Sequence, residues 1–226
     1  MIKSLIKLIL RCIGYAIVIL FSVNFILAIA SITSIQINEE EIIPWRNQER
    51  TEGMYEAEIR VYNKDGGQCS GVVISDRLAL SAAHCAVSGM FGIMDDRDQL
   101  IAESNGSPIT RAKFIALDKD RDVALLKGDF TKFTVKTPNF NYGLDNGSLV
   151  KACGYPADAS YHCTYLYIVG NSSFKYLARG DVLFRGQSGG PVYDSRGYVI
   201  GVNSAVGSDV VILGPLVGLG ELWGIQ

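Results

Sequence analysis

Residues 69–85 read Cys69-Ser70-Gly71-Val72-Val73-Ile74-Ser75-Asp76-Arg77-Leu78-Ala79-Leu80-Ser81-Ala82-Ala83-His84-Cys85. Two short aliphatic runs, 71–74 and 78–81, flank the polar triplet Ser75-Asp76-Arg77, which is the pattern of a β-hairpin. The second run ends on one of only two histidines in the chain. Further along lie Asp122, in Asp120-Arg121-Asp122-Val123-Ala124-Leu125-Leu126, and Ser188, in Gly186-Gln187-Ser188-Gly189-Gly190-Pro191. A serine hydroxyl needs a base to take its proton as it attacks, and an imidazole can do so near neutral pH. A carboxylate on the other ring nitrogen fixes the tautomer, and the order His, Asp, Ser occurs in one of several unrelated triad folds. Backbone N–H groups of Gly186 and Ser188 could then face a tetrahedral oxyanion.

Taken singly, each residue has a plainer use. His84 could be a core histidine, Asp122 a residue capping the following strand, and Ser188 one serine of a glycine turn. Their joint occurrence in these local strings favours a catalytic set. The second histidine, His162, sits beside Cys163 in an expected loop and reads as a surface residue.

Outward from the hairpin the pattern is short strands and turn chemistry. Strand candidates are 57–62, 110–117, 122–126, 148–152, 164–169, 190–193, 198–203 and 210–213, with Asn105-Gly106 and Asn146-Gly147 as turn signals. No sustained 3.6-residue apolar period occurs beyond the N-terminal region, so the expectation is an all-β sandwich or barrel. Sequons at Asn105, Asn146 and Asn171 read first as turn residues.

The N-terminal stretch is different. Lys3, Lys7 and Arg11 precede an apolar run over 12–27, followed by the small-x-small string Ala28-Ile29-Ala30. This is the form of a cleaved signal peptide. The apolar run extends through Ile37, so an uncleaved anchor, a membrane tether through residues 5–37, is the alternative. Either reading exports the remainder, as a secreted or periplasmic protein or as a domain anchored outside the cytoplasm. Loss of residues 1–30 takes the net charge from -2 to -5 by removing three cations and no anions. With no basic stripe, nucleic acid is not an expected partner.

Four cysteines remain in the exported part: Cys69, Cys85, Cys153 and Cys163. In an oxidising compartment they read as two disulfides. Three connectivities are possible, of which the local pairing, Cys69 with Cys85 and Cys153 with Cys163, is the most economical. No Cys-x-x-Cys spacing supports a zinc site, and no metal is expected.

The stretch 69–85, the segment Asp122-Val123-Ala124-Leu125-Leu126, the turn Gly186–Val192 and the strand Tyr198–Ser204 together resemble the trypsin-like (chymotrypsin-fold) serine peptidases, over about residues 55–214. The resemblance implies two six-stranded antiparallel β-barrels, behind an N-terminal hydrophobic signal or anchor helix. The parts would be 1–30 signal or anchor, 31–54 linker, 55–135 first barrel, and 136–226 second barrel and tail. It implies a serine endopeptidase, acting on proteins or peptides through an acyl-enzyme, without metal or organic cofactor. His84, Asp122 and Ser188 would be catalytic, and Gly186 and Ser188 would form the oxyanion hole. Val182, Leu183, Ser204 and Val206 would border the substrate's side chain, implying a small or apolar residue before the scissile bond. Asp181 is the competing feature, since a one-residue offset would select Lys or Arg. The family's C-terminal helix is not expected after Leu213, and no role is assigned to 214–226.

Gln187 stands where activatable members carry an aspartate that pairs with a new amino terminus. An uncharged Gln187 implies a preformed hole, closer to HtrA-type bacterial and viral branches. The reading from a different class is a catalytically silent domain used for binding or scaffolding.

Overall fold

The computed structural model describes residues 55–62, 67–88, 93–94, 99–102, 110–157, 159–207 and 210–225. The expected signal or anchor segment, the linker at 31–54 and the Asn105-Gly106 turn lie outside the described residues. The described residues belong to one compact unit.

In chain order the strands are β1 (Glu58–Tyr62), β2 (Gln68–Ser75), β3 (Leu78–Ser81), β4 (Val87–Ser88), β5 (Ile93–Met94), β6 (Gln99–Ala102), β7 (Thr110–Asp118), β8 (Val123–Gly128), β9 (Leu149–Gly154), β10 (His162–Asn171), β11 (Tyr176–Gly180), β12 (Pro191–Tyr193), β13 (Val199–Val206) and β14 (Val211–Pro215). The opening hairpin forms where the sequence predicts it. Strands β2 and β3 pair antiparallel with Val72 opposite Leu80, and Ser75 Oγ accepts the Leu78 N–H at 3.0 Å to hold the turn.

Pairing runs β1-β2-β3-β8-β7-β6 and returns to β1, with Val61 opposite Ile101, so the first sheet closes into a six-stranded barrel. The second runs β10-β11-β14-β13-β12-β9 and closes through β9 and β10, with Cys153 opposite Cys163. Period-2 patterning explains which faces turn inward. In β7, Ala112 and Phe114 are buried while Arg111, Lys113 and Ile115 are exposed. In β10, Thr164, Leu166 and Ile168 point in. Ile59, Leu80, Leu126, Phe130 and Phe133 fill the first core, which continues into Tyr193, Val199 and Leu216 of the second half. Leu166, Ile168, Ile200 and Leu213 fill a second core. Each such side chain removed from water contributes about 1.5–3 kcal/mol.

Both disulfides take the local pairing, Cys69–Cys85 and Cys153–Cys163. On the loop-entropy account each contributes roughly 3 kcal/mol.

Five elements depart from the sequence expectation. Strands β6 and β11 lie outside the expected set, because neither Gln-Leu-Ile-Ala nor Tyr-Leu-Ala-Arg-Gly carries a clear alternation; their partners in the barrels recruit them. The short ribbon of β4 and β5 is a further addition. A helix, α1 (Leu219–Trp223), follows Leu213 after all. It is held because Leu216 and Leu219 are fully buried in the first core and the Gly218 N–H donates to Phe140 O at 2.7 Å. The tail thus closes over apolar residues that would otherwise face water. No helix among the described residues is long and apolar enough to cross a membrane.

Candidate active site

His84 lies in a single 3-10 turn, Ala83–Ala86, directly after β3. Two links fix it: the Cys69–Cys85 disulfide, and the Ala83 N–H donated to Asp122 O at 3.2 Å. Asp122 precedes β8 with φ at +60°, a conformation that aspartate tolerates better than most side chains. The turn leading to it is capped by Asp118, whose carboxylate accepts the Arg121 N–H at 2.8 Å and pairs with the Arg121 guanidinium at 2.6 Å.

Asp122 collects three donors. Its Oδ1 accepts the His84 backbone N–H at 2.8 Å; its Oδ2 lies 2.7 Å from His84 Nδ1 and accepts the Ser204 hydroxyl at 2.6 Å. A β-bulge between Asn203 and Ala205 turns Ser204 toward that carboxylate. Burial pushes the Asp122 carboxyl up, but the hydrogen bonds from the His84 ring and Ser204 and the attraction of the imidazole outweigh it, leaving the group below its ordinary 3.8. An ionised Asp122 requires Nδ1 to carry the proton, so the lone pair of the neutral ring is on Nε2.

A carboxyl depressed in the folded state stabilises above its unfolded value and loses that contribution as pH falls through the folded value. The Tm margin of the wild type over Asp122→Asn should therefore narrow as pH is lowered below about 3.8. Calorimetry at descending pH measures this; a margin that widened there would contradict it.

Ser188 follows a turn that runs from Phe184 to Gln187, closed by the Gln187 N–H donated to Phe184 O at 3.1 Å. Gly186 sits at φ +98°, the left-handed position of a type II turn. A Cβ there would come within 2.7 Å of both Ala157 N and Tyr155 O, so only glycine fits. The Arg185 carbonyl accepts the Ala157 N–H at 2.9 Å. In a trans peptide C=O and N–H point opposite ways, so this bond aims the Gly186 N–H away from Ala157. The Gly189 N–H is used by Asn203 O and the Gly190 N–H by Gln187 O, whereas those of Gly186 and Ser188 have no acceptor among the described residues. Two backbone donors are therefore left free on one turn.

Ser188 O lies 4.0 Å from the Cys85 sulfur, which places the Ser188 turn alongside the His84 turn. Gly189 makes the approach possible, since a Cβ would collide with Ser81 Oγ and the Ser70 carbonyl. Ser188 Oγ makes no hydrogen bond among the described residues.

Gln187 is fully buried, and both ends of its side-chain amide are hydrogen-bonded. Its Oε1 accepts the Phe184 N–H at 2.6 Å and its Nε2 donates to His162 O at 3.2 Å. His162 itself is exposed, as expected, but opens β10 rather than a loop, with its ring edge against Phe184 at 5.9 Å.

The remaining sequence-expected positions divide. Val182 and Val206 are exposed and, with Asp181, line a shallow cavity of about 110 Å³. Leu183 is buried in the second core, and Ser204 spends its hydroxyl on Asp122. At the other end of the turn a cavity of about 600 Å³ is lined by Tyr161, His162, Phe184 and Arg185. Sequence reasoning does not find Asn203, whose Nδ2 donates to Cys153 O at 2.7 Å and Gln187 O at 3.1 Å, or Ser70. Nothing in their local strings distinguishes them from other strand polar residues. A Cys69, His84 and Cys85 group is compact enough for a metal, but both sulfurs are bonded to each other and the cluster offers no thiolate.

The family model for a trypsin-like peptidase domain matches residues 69–202. Among curated proteins the chain is 28% identical over 145 residues to a probable periplasmic serine endoprotease, DegP-like, of Pseudomonas putida strain F1, covering 61% of this chain and 29% of that protein. It is 31% identical over 122 residues to the protein of the same description from Pseudomonas fulva strain 12-X, covering 50% and 25%. The chain thus spans about three tenths of the length of the first of these relatives. Among solved structures, a serine endoprotease from Yersinia pestis superposes with a TM-score of 0.63 at 21% identity, covering 84% of this chain and 67% of that one. The Rv3671c protease in its inactive form gives 0.57 at 22%, covering 74% and 86%. These likenesses show the all-β trypsin-like fold.

Proposed function

The chain belongs to the trypsin-like peptidase domain family, and on that premise we infer that it is an exported serine endopeptidase with His84, Asp122 and Ser188 as its catalytic residues. The observation that carries this is the carboxylate that orients the imidazole, Asp122 Oδ2 at 2.7 Å from His84 Nδ1, beside a glycine turn with two unused N–H donors.

The steps balance on these residues. His84 Nε2 takes the Ser188 proton as Oγ bonds to the substrate carbonyl carbon, and the negative charge moves to the carbonyl oxygen, facing the Gly186 and Ser188 N–H groups. Collapse breaks the C–N bond and His84 returns its proton to the leaving amine. Water then repeats the sequence: His84 takes its proton, hydroxide adds to the ester, and Ser188 leaves with the proton back on Oγ. Asp122 stays ionised throughout and stabilises the imidazolium.

Export fits the two disulfides, since such bonds persist in oxidising compartments. The curated relatives named above are described as periplasmic. A membrane tether through residues 5–37 remains part of this reading as its anchored form.

The cavity at Val182 and Val206 would take a small apolar side chain before the scissile bond. Gln187 replaces an ion pair with two amide hydrogen bonds, one to the turn at Phe184 and one to β10 at His162, so no new amino terminus is needed to form it. Mass-spectrometric mapping of cleavage in a peptide library by the folded, disulfide-intact protein tests both points. Internal cuts after small apolar residues are expected, without prior processing to an Ile or Val terminus, and Asp181→Asn should leave the profile unchanged. Cuts after Lys or Arg that vanish in Asp181→Asn would overturn the apolar assignment. Absence of any cutting would favour a binding domain.

A further inference from the structure

Ser70 is a fully buried serine on β2 of the first barrel, and the chemistry above does not use it. Three of its hydrogen bonds reach across to the second barrel, and a fourth stays within the first. Its hydroxyl donates to Gly186 O at 2.8 Å and accepts the Tyr155 N–H at 2.8 Å. Its N–H donates to Ser188 O at 2.7 Å, and its own carbonyl accepts the Ser81 hydroxyl at 2.7 Å. Space for this is built in: a Cβ at Gly154 would stand 2.9 Å from Ser70 Oγ.

Both acceptors in the second barrel belong to the residues whose N–H groups would form the oxyanion hole. Glycine is the residue type with the freest backbone, and only two dihedrals set the direction of the Gly186 N–H. The peptide before it is tied through Arg185 O to Ala157, and the peptide after it through Gly186 O to Ser70 Oγ. With one tie gone, the turn can exchange its left-handed glycine for other conformations and carry the N–H out of line.

Resting on the endopeptidase reading, we propose that Ser70 is a positioning residue that holds the oxyanion turn of the second barrel from the first. It touches neither substrate nor His84. It acts in the step that forms negative charge, and so matters more to the transition state than to substrate binding.

The test is the second-order rate of fluorophosphonate labelling in wild type, His84→Ala, Ser70→Ala and Ser70→Thr. Loss of one well-placed oxyanion donor costs about 10²–10³. A hole that is populated part of the time should cost less, so Ser70→Ala is expected to label about 10- to 100-fold more slowly. The pH midpoint of labelling should stay at the wild-type value, because His84 and Asp122 are untouched. Affinity for a peptide boronate should fall in step with the rate, while affinity for an uncleavable peptide holds. Ser70→Thr, which keeps the hydroxyl, should recover most of the rate.

A wild type that labels and a Ser70→Ala that labels equally fast would overturn the proposal while leaving the endopeptidase reading intact. Equal losses for boronate and uncleavable peptide would overturn it too, by reducing Ser70 to a structural residue. A folded wild type that does not label removes the reading, and the proposal with it. Should Ser70→Ala not fold, Ser81→Ala takes its place. It deletes one neutral hydrogen bond to Ser70 O, so about fivefold slower labelling is expected. An unchanged rate there would count against the role of Ser70.

Discussion

Ser188→Ala should lower peptide hydrolysis by about 10⁶-fold in kcat, and His84→Ala by a similar amount, with the double variant scarcely worse than either. The residues of such a set act as one unit: without the hydroxyl there is no acyl-enzyme, and without the imidazole nothing takes the proton. What remains should be the modest rate given by substrate binding and the Gly186 and Ser188 N–H groups, about 10³–10⁴ above the uncatalysed reaction. Neither substitution should disturb the fold. Ser188 Oγ makes no hydrogen bond among the described residues, and the His84 ring is 46% exposed. Burst and steady-state kinetics with a cleavable peptide ester measure this. Losses that simply multiplied in the double variant would show that the two side chains act independently.

Asp122→Asn is expected to cost about 10⁴ in kcat while leaving a folded protein. Asn tolerates φ at +60° at least as well as Asp. The loss comes from hydrogen-bond direction. To keep accepting the His84 backbone N–H, the substituted amide must direct its oxygen there and its NH₂ at His84 Nδ1 and Ser204 Oγ. The ring must then accept at Nδ1 and carry its proton on Nε2, where the base is needed. Residual activity above about a tenth of wild type would mean that Asp122 does not set the tautomer.

Much of this site is legible in the sequence because its parts are local. The hairpin at 69–85 carries His84 on its own turn chemistry, the Gly186–Gly190 string signals left-handed backbone, and the nearest cysteine pairings are the ones formed. Ser70, Asn203 and the Ala157 contact are not legible. Each acts across more than fifteen residues, through backbone acceptors that every residue type supplies alike. Leu183 illustrates the same limit: its place near Ser188 suggests a pocket wall, but in the folded chain it points into the second core. Strands β6 and β11 exist because neighbouring strands supply their hydrogen bonds, which a pattern of side chains does not record. Helix α1 follows from the burial of Leu216 and Leu219, which only the closed fold reveals.

The most direct test of the central claim is peptide mapping of the folded, disulfide-intact protein after reaction with a fluorophosphonate. A single adduct on Ser188, absent from His84→Ala and from heat-unfolded protein, is the predicted result. An adduct on another residue, or an unlabelled Ser188 in the folded wild type, would contradict it.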